Sequence, residues 1–146
     1  MAAKSNWVAF PHDAKGYIHA GAALKMGIAG KVRASLDATL NLEPRHAEAH
    51  TALALYHAEI LNKIGAMIGG LTYGAKASHA EKHIAQAAKL APTSPIAHIE
   101  HGNVLLLLDE ASNEDAAAAA YEQAAECKPL DAMKDLDARY AQSRLE

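Results

Sequence analysis

The stretch KLAPTSPIAH, residues 89–98, decides the reading of the chain. Proline cannot continue a helix, so Pro92 ends one helical run just before another begins. Ahead of it, Ala80, Ile84 and Ala87 recur at i, i+4 and i+7, which is one apolar stripe along a helix. LNLEPRHAEAH around Pro44 and ECKPLDAMKD around Pro129 repeat the device. Ala117, Tyr121 and Ala124 precede Pro129 at the same distances, and Val32, Leu36 and Thr39 precede Pro44 likewise. The residues after the prolines also correspond. His50, Leu53, Ala54 and His57 follow Pro44, while His98, His101, Gly102 and Leu105 follow Pro92. The small residue in each set, Ala54 or Gly102, lets two helix backbones approach closely.

Composition agrees with helices throughout. Alanine is abundant, aromatics are 5%, and strand formers are sparse, so a sheet is not expected in a chain of 146 residues with one core. The 14 basic and 17 acidic residues form no basic block, so nucleic acid is not expected as a partner. Cys127 is the single cysteine, which excludes an intrachain disulfide and suits a reducing compartment such as the cytoplasm. MAAKSNWVAFPHD has no apolar run of signal-peptide type, and residues 60–75 carry Lys63 and four glycines, so neither a leader nor a membrane span is expected.

An earlier copy of the pattern reads Tyr17, Ala20, Gly21 and Leu24. A large-x2-large-small-x2-large helix, then an Ala-x3-large helix and a proline, resembles the tetratricopeptide repeat family. His50 and His98 stand where the family's pattern has a large aromatic. The resemblance implies an all-α fold: about three antiparallel helix-pair repeats stacked as a short right-handed superhelix, with a C-terminal capping helix. The repeats would cover residues 13–44, 45–92 and 93–129 of one domain spanning 1–146, with the cap at 130–145. It also implies a non-catalytic module that needs no cofactor and binds a protein or peptide on its concave face. Slot by slot, that face would take Ile18, Ala22 and Lys25 from the first copy, and Glu48, Thr51 and Leu55 from the second. Ile96, Ile99, Asn103 and Leu106 would follow from the third. Thr51, Leu55, Ile96, Ile99, Asn103 and Leu106 are the expected peptide-binding residues. Asn103 matches an asparagine that contacts peptide backbone in many members. Members that clamp a carboxylate terminus use basic residues where this chain has Thr51 and Ile99. An amphipathic helix laid into an apolar groove suits these slots better than such a clamp.

Pro44 and Pro92 lie 48 residues apart, and Pro92 and Pro129 lie 37 apart. Against a usual period of about 34, the first interval has about 14 residues too many and the second about three. The small excess fits the polar turn DEASNED, residues 109–115. The large one falls on residues 61–76, which include KIGAMIGGLTYGA. This insertion is expected to lengthen a helix past Ile60 until Gly69-Gly70 ends it, with Ser78 and Glu81 forming a capping box on the next helix. Helices are thus expected over 14–26, 31–42, 46–68, 78–90, 94–108, 114–127 and 131–145. In the last, Met133, Leu136 and Tyr140 share a face that suits a terminal cap, and the apolar run Trp7 to Pro11 is expected to pack over the first helix pair. The insertion is also a candidate surface for self-association into a homo-oligomer.

Nine histidines raise a metal reading. His79 and His83 are spaced i, i+4, as are His46 and His50, whereas His98 and His101 are i, i+3. A metal centre needs a third ligand, and HAEKH lacks the glutamate placement of HExxH. A solvated helix face is the simpler account of His79 and His83. His50, His57, His98 and His101 fall in slots that the resemblance assigns to the helix–helix core and are expected as neutral, hydrogen-bonded imidazoles, or alternatively as a polar or metal-binding seam joined by Glu59 and Glu100. Cys127 sits at a helix C-terminus, where the dipole disfavours a thiolate. IGGLTYG lacks the frame of a phosphate loop.

Overall fold

The computed structural model describes residues 27–128 and 132–146, with side chains of the second stretch from Asp135 onward. The expected helix at 14–26, the run Trp7 to Pro11, the slots Ile18, Ala22 and Lys25, and the side chain of Met133 lie outside the described residues. The described residues form an all-α structure without strands. Its helices are α1 (Ile28–Leu42), α2 (Ala47–Tyr73), α3 (Ala77–Leu90), α4 (Pro95–Glu126) and α5 (Ala132–Ser143).

Both long helices contain one non-helical residue, and each break has a local cause. In α2 it is Gly65, at φ 81 and ψ 165, a conformation open to glycine alone. In α4 it is Asp109, at φ −163 and ψ 96. Asp109 then caps the second arm of α4: Ser112 donates its N–H to Oδ1 at 3.2 Å and its hydroxyl to Oδ2 at 2.7 Å. These two bonds hold the Asp109 carboxyl below its ordinary range. The expected seven-residue turn at 109–115 is therefore a single residue, because an aspartate cap restarts the helix at once. Asn113 donates its side-chain amide to the Leu105 carbonyl at 2.9 Å and draws the two arms together. Farther down, Tyr121 meets Gly102 and packs with Ile99. Segments 95–108 and 110–126 accordingly run antiparallel.

The insertion departs from expectation in a similar way. Gly69 and Gly70 do not end the helix. Gly69 is helical and buried, and a Cβ there would meet Ile60 Cγ2 at 3.1 Å. The segment 66–73 thus folds back on the end of its own helix after the Gly65 break. Gly74 ends it in the left-handed conformation, φ 63, with Ala75 donating to the Gly69 carbonyl at 3.0 Å. Arg33 of α1 bonds the carbonyls of Tyr73 and Gly74 at 3.0 and 3.2 Å, a cation on the negative end of the helix. Ser78 makes no capping box. Lys76 is the N-cap of α3, without a side-chain cap bond, and its N–H is donated at 3.2 Å to His57 Nδ1.

The core lies along α2, which is apolar on nearly all sides because three neighbours cover it. Leu53, Tyr56 and Ile60 face Leu36 and Ala29 of α1. Ala54, Leu55 and Ala58 meet Ala80 and Ile84 of α3 and Val104 of α4. Leu36 and both Ala-x3-large-x2-Ala stripes, Ala80–Ile84–Ala87 and Ala117–Tyr121–Ala124, are buried. In α5 the expected face is not the packed one. Leu136 and Tyr140 are exposed and Ala141 is buried against the Tyr121 cluster.

Candidate binding groove and histidine seam

α2, α4 and α5 enclose an open groove with a cavity of about 790 Å³. Leu55, Glu59 and Asn62, at i, i+4 and i+7, supply the α2 wall. Ile96, Ile99, Glu100, Asn103, Leu106, Leu107 and Glu110 supply the α4 wall, and Asp137, Tyr140 and Arg144 close the third side. Of the expected peptide-binding residues, Leu55, Ile96, Ile99, Asn103 and Leu106 meet in this cavity. Thr51 does not line it. Its side chain is buried and its hydroxyl donates to the Ala47 carbonyl at 3.1 Å. Glu48 lies away from the cavity, exposed and 3.3 Å from His46. Ile99 is only 2% exposed and packs on Ala117, Tyr121 and Ala124, so it backs the wall, whereas Ile96 at 37% presents its side chain to the cavity.

The groove floor carries a polar chain. Tyr121 donates its hydroxyl to Asn103 Oδ1 at 2.7 Å, and Asn103 donates Nδ2–H to Glu100 Oε2 at 3.2 Å. A carboxylate only accepts, which fixes the amide orientation. Asn103 is therefore pre-oriented, with one amide hydrogen engaged by Glu100. Burial raises the Tyr121 hydroxyl pKa, against the lowering effect of the nearby Arg144. The Arg144 guanidinium lies 5.5 Å from the Tyr121 ring centre, and its own pKa is raised by bonding to that hydroxyl. The contributions of Glu110, Asp137 and Arg144 were not legible from the repeat slots, since they come from the hairpin tip and the last helix.

A second cluster sits between α2 and α3. His50 and His83 approach Nδ1 to Nδ1 at 2.9 Å, and His50 Nε2 is 2.9 Å from the Pro44 carbonyl. The carbonyl only accepts, so His50 carries its proton on Nε2 and takes the His83 Nδ1–H on its bare Nδ1. The His57 ring stacks on His83 at 6.3 Å and meets His79 edge-on at 5.2 Å. His57 and His83 are each lowered to about 4, first by burial. Arg33, His79 and His83 add to the lowering of His57, and His50, His79 and Lys82 to that of His83. His98 repeats the His50 bond, Nε2 to the Pro92 carbonyl at 2.8 Å, but its buried Nδ1 has no hydrogen-bond partner. His101, beside it, is lowered by burial and by His98.

His79 and His83, the candidate metal pair, are thus parts of a four-imidazole seam. His50 and His83 spend their Nδ1 atoms on each other, and His57 spends its own on Lys76. Among the described residues, no group of three or more His, Cys, Asp or Glu side chains is placed to hold a metal ion. Cys127 is half-buried with its thiol 3.2 Å from the Gln123 carbonyl, which gives a thiolate no stabilising charge. Among the described residues, no helix is long and apolar enough to cross a membrane. Comparison with protein-family models, curated proteins and solved structures gives no match.

Proposed function

We propose that this chain is a non-catalytic interaction module built of tetratricopeptide-like helix pairs, stacked as a short right-handed superhelix. Its concave face holds a peptide or helix of a protein partner. The observation that carries this reading is the groove, where five residues picked from repeat slots converge, among them a pre-oriented Asn103 at the floor. The reducing compartment suited to a half-buried lone thiol agrees with a cytoplasmic protein. The test is selection of a displayed random-peptide library on the full chain, with counter-selection on an Ile96→Glu, Leu106→Glu variant. A recovered consensus that binds the parent and not the variant, with both melting at similar temperature, is the expected result. No enrichment, or equal binding to both, rejects the groove as the working surface.

A specific observation favours a second reading, self-association. Met67, Ile68 and Leu71 on the folded-back segment are 78%, 57% and 85% exposed, an apolar strip without a charge among them. Sedimentation equilibrium of the parent and a Met67→Lys, Leu71→Lys variant tests it. An oligomer in the parent that the variant dissolves supports the reading, and a monomeric parent at high concentration removes it.

A further inference from the structure

We propose that His79 and His83 form an open two-imidazole chelate for a divalent transition ion of the zinc and copper class. The two residues stand at i and i+4 on α3, which places their Cβ atoms one above the other, about 5–6 Å apart. That spacing lets two rings reach one ion, and imidazole suits zinc, copper and nickel. The site shares no residue with the groove.

What distinguishes this pair from any two histidines on a helix is the control of the His83 proton. His50 Nε2 lies 2.9 Å from the Pro44 carbonyl, so it carries the His50 proton. The bare His50 Nδ1 then accepts the proton of His83 Nδ1 at 2.9 Å. Two successive bonds thus leave His83 Nε2 without a hydrogen and with its lone pair free. Metal-ligating histidines are held in this way, the second ring nitrogen being bonded to a group that fixes tautomer and orientation. Among the described residues, His98 Nδ1 is the one buried side-chain nitrogen or oxygen without a partner. His83 Nε2 and the His79 ring nitrogens bond no described residue, so they stand open on half-buried side chains. His57 braces both rings: it stacks on His83 with an interplanar angle of 4° and meets His79 edge-on. Rings already held need little ordering when an ion arrives. His83 is lowered to about 4, by burial first, so near neutral pH no proton competes for its ring.

Two protein ligands leave the other positions of the ion to water, since among the described residues no group of three or more His, Cys, Asp or Glu is placed to hold one. Lys82 and the positive N-terminal end of α3 oppose the charge, and Asp37 of α1 favours it. Half the ligands of a closed zinc site, under that opposition, give a Kd on the order of 10 µM.

Calorimetric titration of the full chain with zinc chloride near neutral pH tests the site. His79→Gln is expected to weaken binding at least about tenfold, copper(II) to bind more tightly than zinc, and magnesium not to bind. His50→Phe keeps a ring but removes the acceptor of the His83 proton, and should weaken zinc about tenfold. Circular dichroism checks that both variants stay helical. Long-range proton–nitrogen NMR separates ligation from a merely structural effect. His83 should carry its proton on Nδ1, and zinc should shift the His83 Nε2 resonance together with a ring nitrogen of His79. Zinc held equally well by the His79→Gln chain, shifts confined to other histidines, or no binding up to about 1 mM zinc overturns the site. A His83 proton found on Nε2, with affinity untouched by His50→Phe, overturns the role given to His50.

Discussion

Acid should loosen the α2–α3 contact, and His57 is where the effect can be measured. The ring is 1% exposed, accepts the Lys76 N–H at Nδ1, and lies against the rings of Tyr56, His79 and His83. Facing this pair of helices, Arg33 from α1 and Lys82 from α3 repel a proton, and Asp37 from α1 favours one on His83. The net result is a folded value of about 4 for His57 against 6.5 in the free chain. The unfolded chain therefore takes up the proton first as pH falls. The stabilisation is complete above the free-chain value and is lost as pH falls from there toward the folded value. Linkage with these two values gives a loss of about 2 kcal/mol between about pH 7.5 and about pH 5. His83, also lowered to about 4, adds a similar amount, reduced because each ring's shift partly reflects the other. Together they remove about 2 to 4 kcal/mol, a large share of the ~5–15 kcal/mol typical of a domain.

Urea unfolding across that pH range reads this directly, provided the m-value stays constant. The reference is His57→Asn, whose amide oxygen stands near the place of Nδ1 and can still accept the Lys76 N–H. The variant should be less stable than the parent at about pH 7.5, since the ring's packing is lost. The gap should shrink by about 2 kcal/mol at about pH 5, where the parent alone bears the His57 penalty. A gap that stays constant with pH would refute the reasoning, because His57 would then hold its proton equally in both states.

Three further substitutions test the packing. Gly102→Ala should destabilise by about 1–3 kcal/mol in thermal or urea unfolding, because the new Cβ would lie 2.7 Å from two atoms of the Tyr121 ring, which its hydroxyl bond to Asn103 holds in place. Asp109→Ala should speed amide hydrogen exchange at residues 110–113 while exchange in α2 and α3 stays as it was, since the cap bonds to Ser112 act only at the hairpin tip. Ala120→Ser should raise stability by about 0.5–1.5 kcal/mol, with the gain absent in a His98→Phe background. Counting from the prolines, Ala120 stands where His83 stands one copy earlier, so the substitution asks whether a hydroxyl at that register meets the unpartnered His98 Nδ1.

The periodic part of the fold was legible in the sequence. The stripes at Ala80, Ile84, Ala87 and at Ala117, Tyr121, Ala124 are buried because helical spacing and helix packing share one period. The breaks were harder to place. Four glycines in residues 63–75 all look like helix ends, yet only Gly65 and Gly74 take positive φ, whereas Gly69 serves a close approach to Ile60. Sequence spacing cannot separate these uses, because a glycine needed for its φ and one needed for its missing Cβ are the same residue. Asp109 in turn was hidden among polar neighbours: DEASNED offers several residues able to cap, and the backbone uses one. On α5 an alanine was packed where larger side chains seemed the anchors, since the depth available beside Tyr121 is a property of another helix.

The same limit explains why the groove and the seam read so differently. Position along α2 assigns faces by its 100° step. Leu55, Glu59 and Asn62 turn to the groove, His50 and His57 to α3, and Leu53, Tyr56 and Ile60 to α1. The sequence reading put Leu55 on the groove face but set Glu59 and Glu100 with the histidines, whereas both line the cavity beside Asn62, and five of the six expected groove residues line it too. What the spacing could not supply was the content of the facing surfaces. His50 finds His83 opposite it and His98 has no partner for its Nδ1, although the two histidines stand at the same distance past a proline and make the same carbonyl bond. The carboxylates of the groove likewise come from three helices that no single period relates. Chemistry at this protein's surfaces is set by residues that meet across helices, and it is there, at Ile96 and Leu106 on one side and His57 on the other, that substitution will distinguish a binding wall from a structural one.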